Sequence, residues 1–182
     1  QHGQPMVDTQ ETLREPAAGE VVVRILAAGV CHSDVMLYDG YVDTGTGRKI
    51  DLSRGVAAPR VLGHEIAGEV TELGAGVTGV KVGDRGVVYP WIGCGKCAYC
   101  TTDRENLCSA PRNLGLQLDG GFSQYVIVPD AKYAVPAGTL PLEQAAPYAC
   151  SGLTAYAALK KLAPMDPSET VLILGAGGVG LS

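Results

Sequence analysis

Aromatic side chains are scarce in this chain, with one Phe, one Trp and eight Tyr among 182 residues. A chain so poor in rings, yet carrying 25 Gly, reads as turn-dense β structure in which backbone must bend or approach something closely. Basic residues are also few, 14 Lys and Arg against 19 Asp and Glu, for a net charge of −5 and a pI near 5.1. That balance excludes sequence-independent nucleic-acid binding, which needs clustered cations. No run approaches the roughly 18 apolar residues of a membrane span, and no signal peptide opens the chain. With 46% hydrophobic and 18% charged residues, the chain buries a proper core and is not a disordered tail. Its length suits about one domain or slightly more.

What is present divides into two patterns. Short runs rich in β-branched residues, at 20–28, 65–73, 84–89 and 122–128, are separated by glycine turns and predict strands of an antiparallel barrel or sandwich. Between the first two lies 39–60, polar and Gly-rich, which reads as a long surface loop with one short helical turn. Segment 91–113 is a cysteine-rich lobe too short and polar to own a core. Beyond it, 142–163 is rich in Ala and Leu and predicts helix, entered after Pro141 and again after Ser151 and ended by Pro164 and Pro167. The run Thr170–Leu174 predicts a strand buried on both faces of a parallel sheet. A change from a β domain to an α/β domain is expected near 140–165. The chain starts at Gln1 without an initiator Met and stops at Ser182 as a new unit begins, so a longer protein is expected.

Six cysteines are present, and four of them, Cys94, Cys97, Cys100 and Cys108, fall in one segment. Disulfides are the alternative for a secreted protein, but thiols two residues apart and no signal peptide favour metal ligation. Thiolates at i, i+3 and i+6 on a tight turn converge on one ion and a fourth closes the tetrahedron. Such a zinc site has no open position and is structural. An iron–sulfur cluster is the competing occupant.

The other two cysteines belong to scattered blocks: Cys31-His32-Ser33-Asp34, Gly63-His64-Glu65, and Cys150 before Ser151-Gly152. Each is weak alone, since a lone buried Cys is usually a small hydrophobe. Together, two thiolates and one imidazole make a neutral zinc site with a vacant fourth position, the ligand set that polarises an alcohol or carbonyl oxygen. A third constellation, Gly175-Ala176-Gly177-Gly178-Val179-Gly180, fits G-x-G-x-x-G directly after an apolar run. Its backbone amides suit a dinucleotide pyrophosphate, with a plain strand-to-helix turn as the alternative.

The stretch Gly63-His64-Glu65-x-x-Gly68-x5-Gly74-x-x-Val77 resembles the signature of the zinc-containing alcohol dehydrogenases of the medium-chain dehydrogenase/reductase superfamily. The Cys31-His-Ser-Asp block, the four-cysteine lobe, Cys150-Ser-Gly-Leu-Thr and the glycine fingerprint follow in that family's order. The resemblance implies a mainly β, GroES-like barrel (1–147, with the structural zinc lobe at 91–113), followed by the truncated start of an α/β Rossmann dinucleotide-binding domain (148–182). It implies interconversion of alcohols and aldehydes or ketones by hydride transfer, with NAD as cofactor, NADP as the alternative, and two zinc ions per chain. Cys31, His64 and Cys150 resemble the catalytic zinc ligands. Glu65 resembles the carboxylate behind the metal, and Asp34 the acid that orients the liganding imidazole. Ser33 resembles the hydroxyl that takes the substrate proton, and His32 the basic residue facing the cofactor pyrophosphate. Trp91 resembles a residue lining the substrate pocket.

One departure stands out: where many relatives carry a His, this chain has Met36, which relays no proton, so the relay beyond Ser33 ends at cofactor ribose and water. The implied partners are small-molecule alcohols and carbonyl compounds, with a homo-oligomer, dimer or tetramer, in the full-length protein. Neither nucleic acid nor membrane is an expected partner, and six reduced cysteines suit a cytoplasmic setting. A catalytically inactive zinc-binding fragment, or a co-chaperone-like barrel, is the alternative reading; the second has no use for Cys150 or the glycine unit.

Overall fold

The computed structural model describes residues 2–53, 55–56, 58–162, 164–166 and 168–182. Its frame is a five-stranded antiparallel sheet. The strands are β1 (Val21–Gly29), β4 (Glu65–Leu73), β5 (Arg85–Val88), β6 (Tyr125–Val128) and β7 (Ala134–Pro136), in the order β6-β1-β4-β5-β7. The two nine-residue strands pair with each other and carry the β-branched inward positions that close the core, Val21, Val23, Ile66 and Val70. Val88, Ile92, Leu114, Val126, Val128 and Tyr133 pack against them. Apolar side chains of modest size thus fill the space that aromatics occupy elsewhere.

The sheet is not flat. Its edges, β6 and β7, are joined by only residues 129–133, which include a 3-10 turn at Ala131–Tyr133. In a flat five-stranded sheet the edges lie about 19 Å apart, nearly the full stretch of six residue steps, about 20–22 Å. A link partly coiled into a turn cannot reach that far, so the sheet curls. Tyr133 C=O accepts Tyr89 N–H at 2.8 Å and Gly19 C=O accepts Ala131 N–H at 3.1 Å, tying the link across the open side. The expected barrel is therefore a curled sheet bridged by its own connection, since β6 and β7 do not pair with each other.

Other expectations need adjustment. The strands foreseen at 84–89 and 122–128 are shorter, and Phe122–Gln124 precede β6 as a turn packed on Gly63. Helix α1 (His32–Asp39) was not foreseen; Asp34 at its third position accepts the Cys31 N–H, and Gly40 ends it in the left-handed conformation. Segment 39–60 is more than a loop, because β2 (Tyr41–Asp43) and β3 (Lys49–Asp51) form a hairpin within it; Arg54 and Ala57 lie outside the described residues. The Ala-rich stretch divides into α2 (Leu142–Ala145), a 3-10 turn at Ala146–Ala149, and α3 (Ser151–Leu162), with Cys150 at the break. Ala163 and Pro167, named in the helix expectation, lie outside the described residues.

The buried strand expected at Thr170–Leu174 does not form: the backbone there is irregular, with Leu172 79% and Leu174 88% exposed. A parallel strand needs hydrogen-bonded neighbours and helices over both faces, and the described residues offer it none. Across the expected lobe, 91–113, Ile92 joins the core of the sheet, most of the remaining residues are exposed or half-buried, and the only regular structure is two 3-10 turns, Cys100–Thr102 and Glu105–Leu107.

Candidate metal centre

Sheet register assembles the first cluster. In the β1–β4 pair Gly29 lies opposite Glu65, so Cys31, just past the end of β1, and His64, just before β4, leave the sheet side by side. Residues 146–149 pack over β1, β4 and β5 and deliver Cys150 to the same place. One ligand atom from each of Cys31, His64, Glu65 and Cys150 lies within 4.8 Å of all the others. The sulfurs of Cys31 and Cys150 are 3.9 Å apart, close to the edge of about 3.8 Å that a zinc tetrahedron with bonds of about 2.3 Å requires.

Asp34 holds this arrangement. It is 3% exposed and accepts three hydrogen bonds, from Cys31 N–H to Oδ2 at 2.9 Å and from Gly63 N–H and His64 Nδ1 to Oδ1 at 3.1 and 3.0 Å. With Nδ1 committed, Nε2 of His64 faces the thiols, is fully buried and has no hydrogen-bond partner. An orphaned imidazole nitrogen in a nest of sulfurs is what a metal ion would satisfy. Burial opposes charge on the ring, but the Asp34 carboxylate and the Cys150 thiol beside it outweigh burial and push its pKa up to about 10. Burial also pushes the Glu65 carboxyl up; His64 opposes the shift and Asp34 reinforces it.

Gly63 makes the turn into His64. Its φ is +93°, and a Cβ there would sit 2.7 Å from Phe122 Cδ1 and 2.9 Å from Phe122 N. Residues 61–63 are fixed by 120–122, whose three amides donate to the carbonyls of Val61, Gly63 and Leu62.

The second cluster brings Cys94, Cys97, Cys100 and Cys108 together. Their sulfurs stand 3.5–3.9 Å apart in the pairs Cys97–Cys100, Cys97–Cys108 and Cys94–Cys100. Amides of Lys96 and Cys97 lower the Cys94 pKa to about 6, and the Cys100 amide lowers that of Cys97. Burial, by contrast, pushes Cys100 up to about 11. Amides aimed at sulfur favour thiolate, the form that ligates metal. All six cysteines are free thiols.

Of the remaining expected residues, Ser33 is half-buried and His32 exposed on the first turn of α1; Met36 is half-buried on the same helix. Trp91 packs on His64 with ring centroids 5.4 Å apart, and its Nε1–H donates to Ala149 C=O at 3.1 Å. Gly175, Gly177, Gly178 and Gly180 form an open turn. A Cβ on Gly180 would meet Gly175 O at 2.0 Å, whereas Gly177 and Gly178 face open space. That turn ends beside α3, where Ser182 Oγ donates to Ser151 Oγ at 3.1 Å.

Two residues with structural duties escaped the sequence. Glu105 accepts Gly93 N–H at 3.1 Å, Lys132 Nζ at 2.5 Å and the Tyr133 hydroxyl, pinning the lobe to the sheet. Gly29 leaves room for Glu65, whose Oε2 would lie 2.1 Å from any Cβ placed there. No local motif marks either one.

A family model described as the alcohol dehydrogenase GroES-like domain matches residues 17–139. The NAD-dependent alcohol dehydrogenases of Sulfolobus acidocaldarius and Saccharolobus solfataricus are 42% and 43% identical over 176 residues. Those residues are 97% of this chain and 49% and 50% of theirs. Among solved structures, an alcohol dehydrogenase from Thermotoga maritima superposes with a TM-score of 0.83 at 30% identity, covering 100% of this chain and 51% of that one. A cobalt- and zinc-bound thermostable alcohol dehydrogenase from Pyrobaculum aerophilum does so at 0.77 and 35%, covering 94% and 49%. The chain spans about half the length of the curated relatives it matches.

Proposed function

Since the chain belongs to the alcohol dehydrogenase family built on the GroES-like domain, we propose that it carries the metal-binding catalytic part of an oxidoreductase. The reaction is the interconversion of small alcohols with aldehydes or ketones, with NAD taking or giving hydride. The observation that carries this reading is the convergence of Cys31, His64 and Cys150 around the unpartnered, buried Nε2 of His64. When bound there, zinc supplies Lewis-acid polarisation of the substrate oxygen.

The chain's own residues do the rest. Asp34 fixes the Nδ1–H tautomer of His64 and, through the Cys31 amide, the approach of a second ligand. Glu65 stands behind the ligands as a carboxylate able to exchange with them. Ser33, two residues past Cys31, accepts the substrate proton, and His32 faces the cofactor pyrophosphate from the exposed side of α1. Met36, on the same helix, has no group that could carry the proton beyond Ser33, so any further relay would have to use groups other than this side chain. The turn at 175–180 offers amides to the pyrophosphate, with Gly177 and Gly178 open to its approach. Residues 1–147 serve as the catalytic domain and 148–182 as the start of the dinucleotide-binding domain, through which a homo-oligomer assembles. Six free thiols fit a reducing, cytoplasmic setting.

The four-plus-two division of the cysteines supports a reading of two zinc ions per chain. In the full-length protein, elemental analysis should find two, falling to one on Cys31→Ser or Cys150→Ser together with loss of alcohol-dependent NADH formation. Cys97→Ser should remove only the other ion at first. A single zinc that Cys97→Ser removes and Cys31→Ser does not would sink the catalytic site.

A further inference from the structure

Trp91 touches two of the three ligands' supports at once. Its indole ring lies against the His64 imidazole at 5.4 Å between centroids, inclined by 54°. Its Nε1–H donates to the carbonyl of Ala149, the residue directly before Cys150, at 3.1 Å. These two ligands come from distant parts of the chain, His64 from the start of β4 and Cys150 from the break before α3. Among the described residues, no hydrogen bond joins His64 to the 146–149 turn. Trp91 makes contact on both sides of that junction.

Trp91 is itself rigidly placed. Its neighbours Pro90 and Ile92 are fully buried. Arg112 N–H donates to Ile92 C=O at 2.8 Å and Leu114 N–H to Pro90 C=O at 3.1 Å. An indole held this way has a defined position for both its face and its N–H, and an indole N–H that is half-buried needs an acceptor.

We propose that Trp91 is a positioning residue, setting the separation of the His64 and Cys150 ligand atoms by covering the imidazole and holding the Ala149 carbonyl. The inference rests on the reading of Cys31, His64 and Cys150 as ligands of one ion. Outer contacts of this kind hold ligand atoms in register, and their loss typically weakens metal binding about tenfold or more.

The test uses full-length protein with cobalt(II) in place of zinc, read by its thiolate charge-transfer and d–d absorption and by the rate of metal loss to a chelator. Trp91→Phe keeps a ring on His64 and deletes the N–H; Trp91→Leu deletes both. Trp91→Phe should shift the d–d bands and release the ion of the three-ligand site about tenfold faster, and Trp91→Leu faster still. The ion of the four-cysteine site should leave at the wild-type rate, which serves as the control for folding. Unchanged spectra and release rates in both variants, with only KM altered, would make Trp91 a pocket wall and overturn the proposal. Equal acceleration at both sites would signal general loosening and overturn it as well. If Cys31→Ser and Cys150→Ser leave the wild-type cobalt spectrum untouched, it is the ligand assignment that has failed, and the proposal goes with it.

Discussion

Asp34 Oδ1 lies 3.0 Å from Nδ1 of His64, and the same carboxylate holds the backbone of Cys31, so one buried acid fixes two of the side chains of the candidate metal centre. Both side chains are essentially out of solvent. Asp34→Asn keeps the shape but weakens the hold on the imidazole, whose tautomer is then no longer dictated. Metal affinity at the three-ligand site should fall by about 10- to 100-fold, measured by competition with a chromophoric chelator. Affinity at the four-cysteine site should not change. Equal affinity in the variant would show that the carboxylate does not orient the ligand.

Gly63→Ala addresses the turn before His64. The added methyl faces Phe122 at 2.7 Å on a backbone with φ +93°, which costs about 1–3 kcal/mol in strain alone. Urea unfolding should show at least that loss. The three-ligand site should also bind metal less tightly, because His64 follows directly. Gly76→Ala, with φ +76° and open space around it, isolates the backbone cost from the clash.

Glu105 provides a pH test. Burial alone would raise its pKa, but Lys132, the Tyr133 hydroxyl and the Gly93 amide outweigh burial and hold the carboxyl below its ordinary 4.5. The folded state therefore binds this proton less readily than the unfolded state. The contribution is complete above about pH 4.5 and disappears as pH falls through the depressed value. Glu105→Gln should lower the urea midpoint at pH 7 and shrink the drop between pH 5 and pH 3. A variant that loses stability in parallel with the wild type over that interval would remove Glu105 from the account.

Ile66 tests the core independently of metal. It is fully buried on β4, in the same core cluster as Ile92 and Leu114. Ile66→Ala should cost about 3 kcal/mol in denaturant unfolding, with metal content unchanged in the folded protein.

The two clusters of ligand-type side chains differ in how far the sequence alone reveals them. Cys94, Cys97, Cys100 and Cys108 lie within one short turn-rich segment, so backbone reach keeps their sulfurs close whatever the rest of the chain does. Helix α1 was legible in principle from Asp34 three residues after Cys31 and from Gly40 at its end, but a cysteine N-cap is an uncommon signal. The strand at 170–174 failed for the opposite reason. Its apolar run is a statement about neighbours it would need, and a strand without neighbours has no ladder to join.

What the sequence by itself determined is therefore local. It set the strand-forming runs of β1 and β4, the four-thiolate turn, the glycine turn at 175–180, and the kinds of ligand atoms available. The tertiary structure alone decided which of those atoms meet. Cys31 and Cys150 are 119 residues apart, and no local propensity spans that distance. Their meeting follows from the register that sets Gly29 opposite Glu65 and from the packing of 146–149 over the sheet. Because side chains alternate faces along a strand, a one-residue slip in that register would move His64 away from Cys31. The roles of Trp91, Glu105 and Gly29 are likewise consequences of position, since each acts on a neighbour that only the folded chain provides.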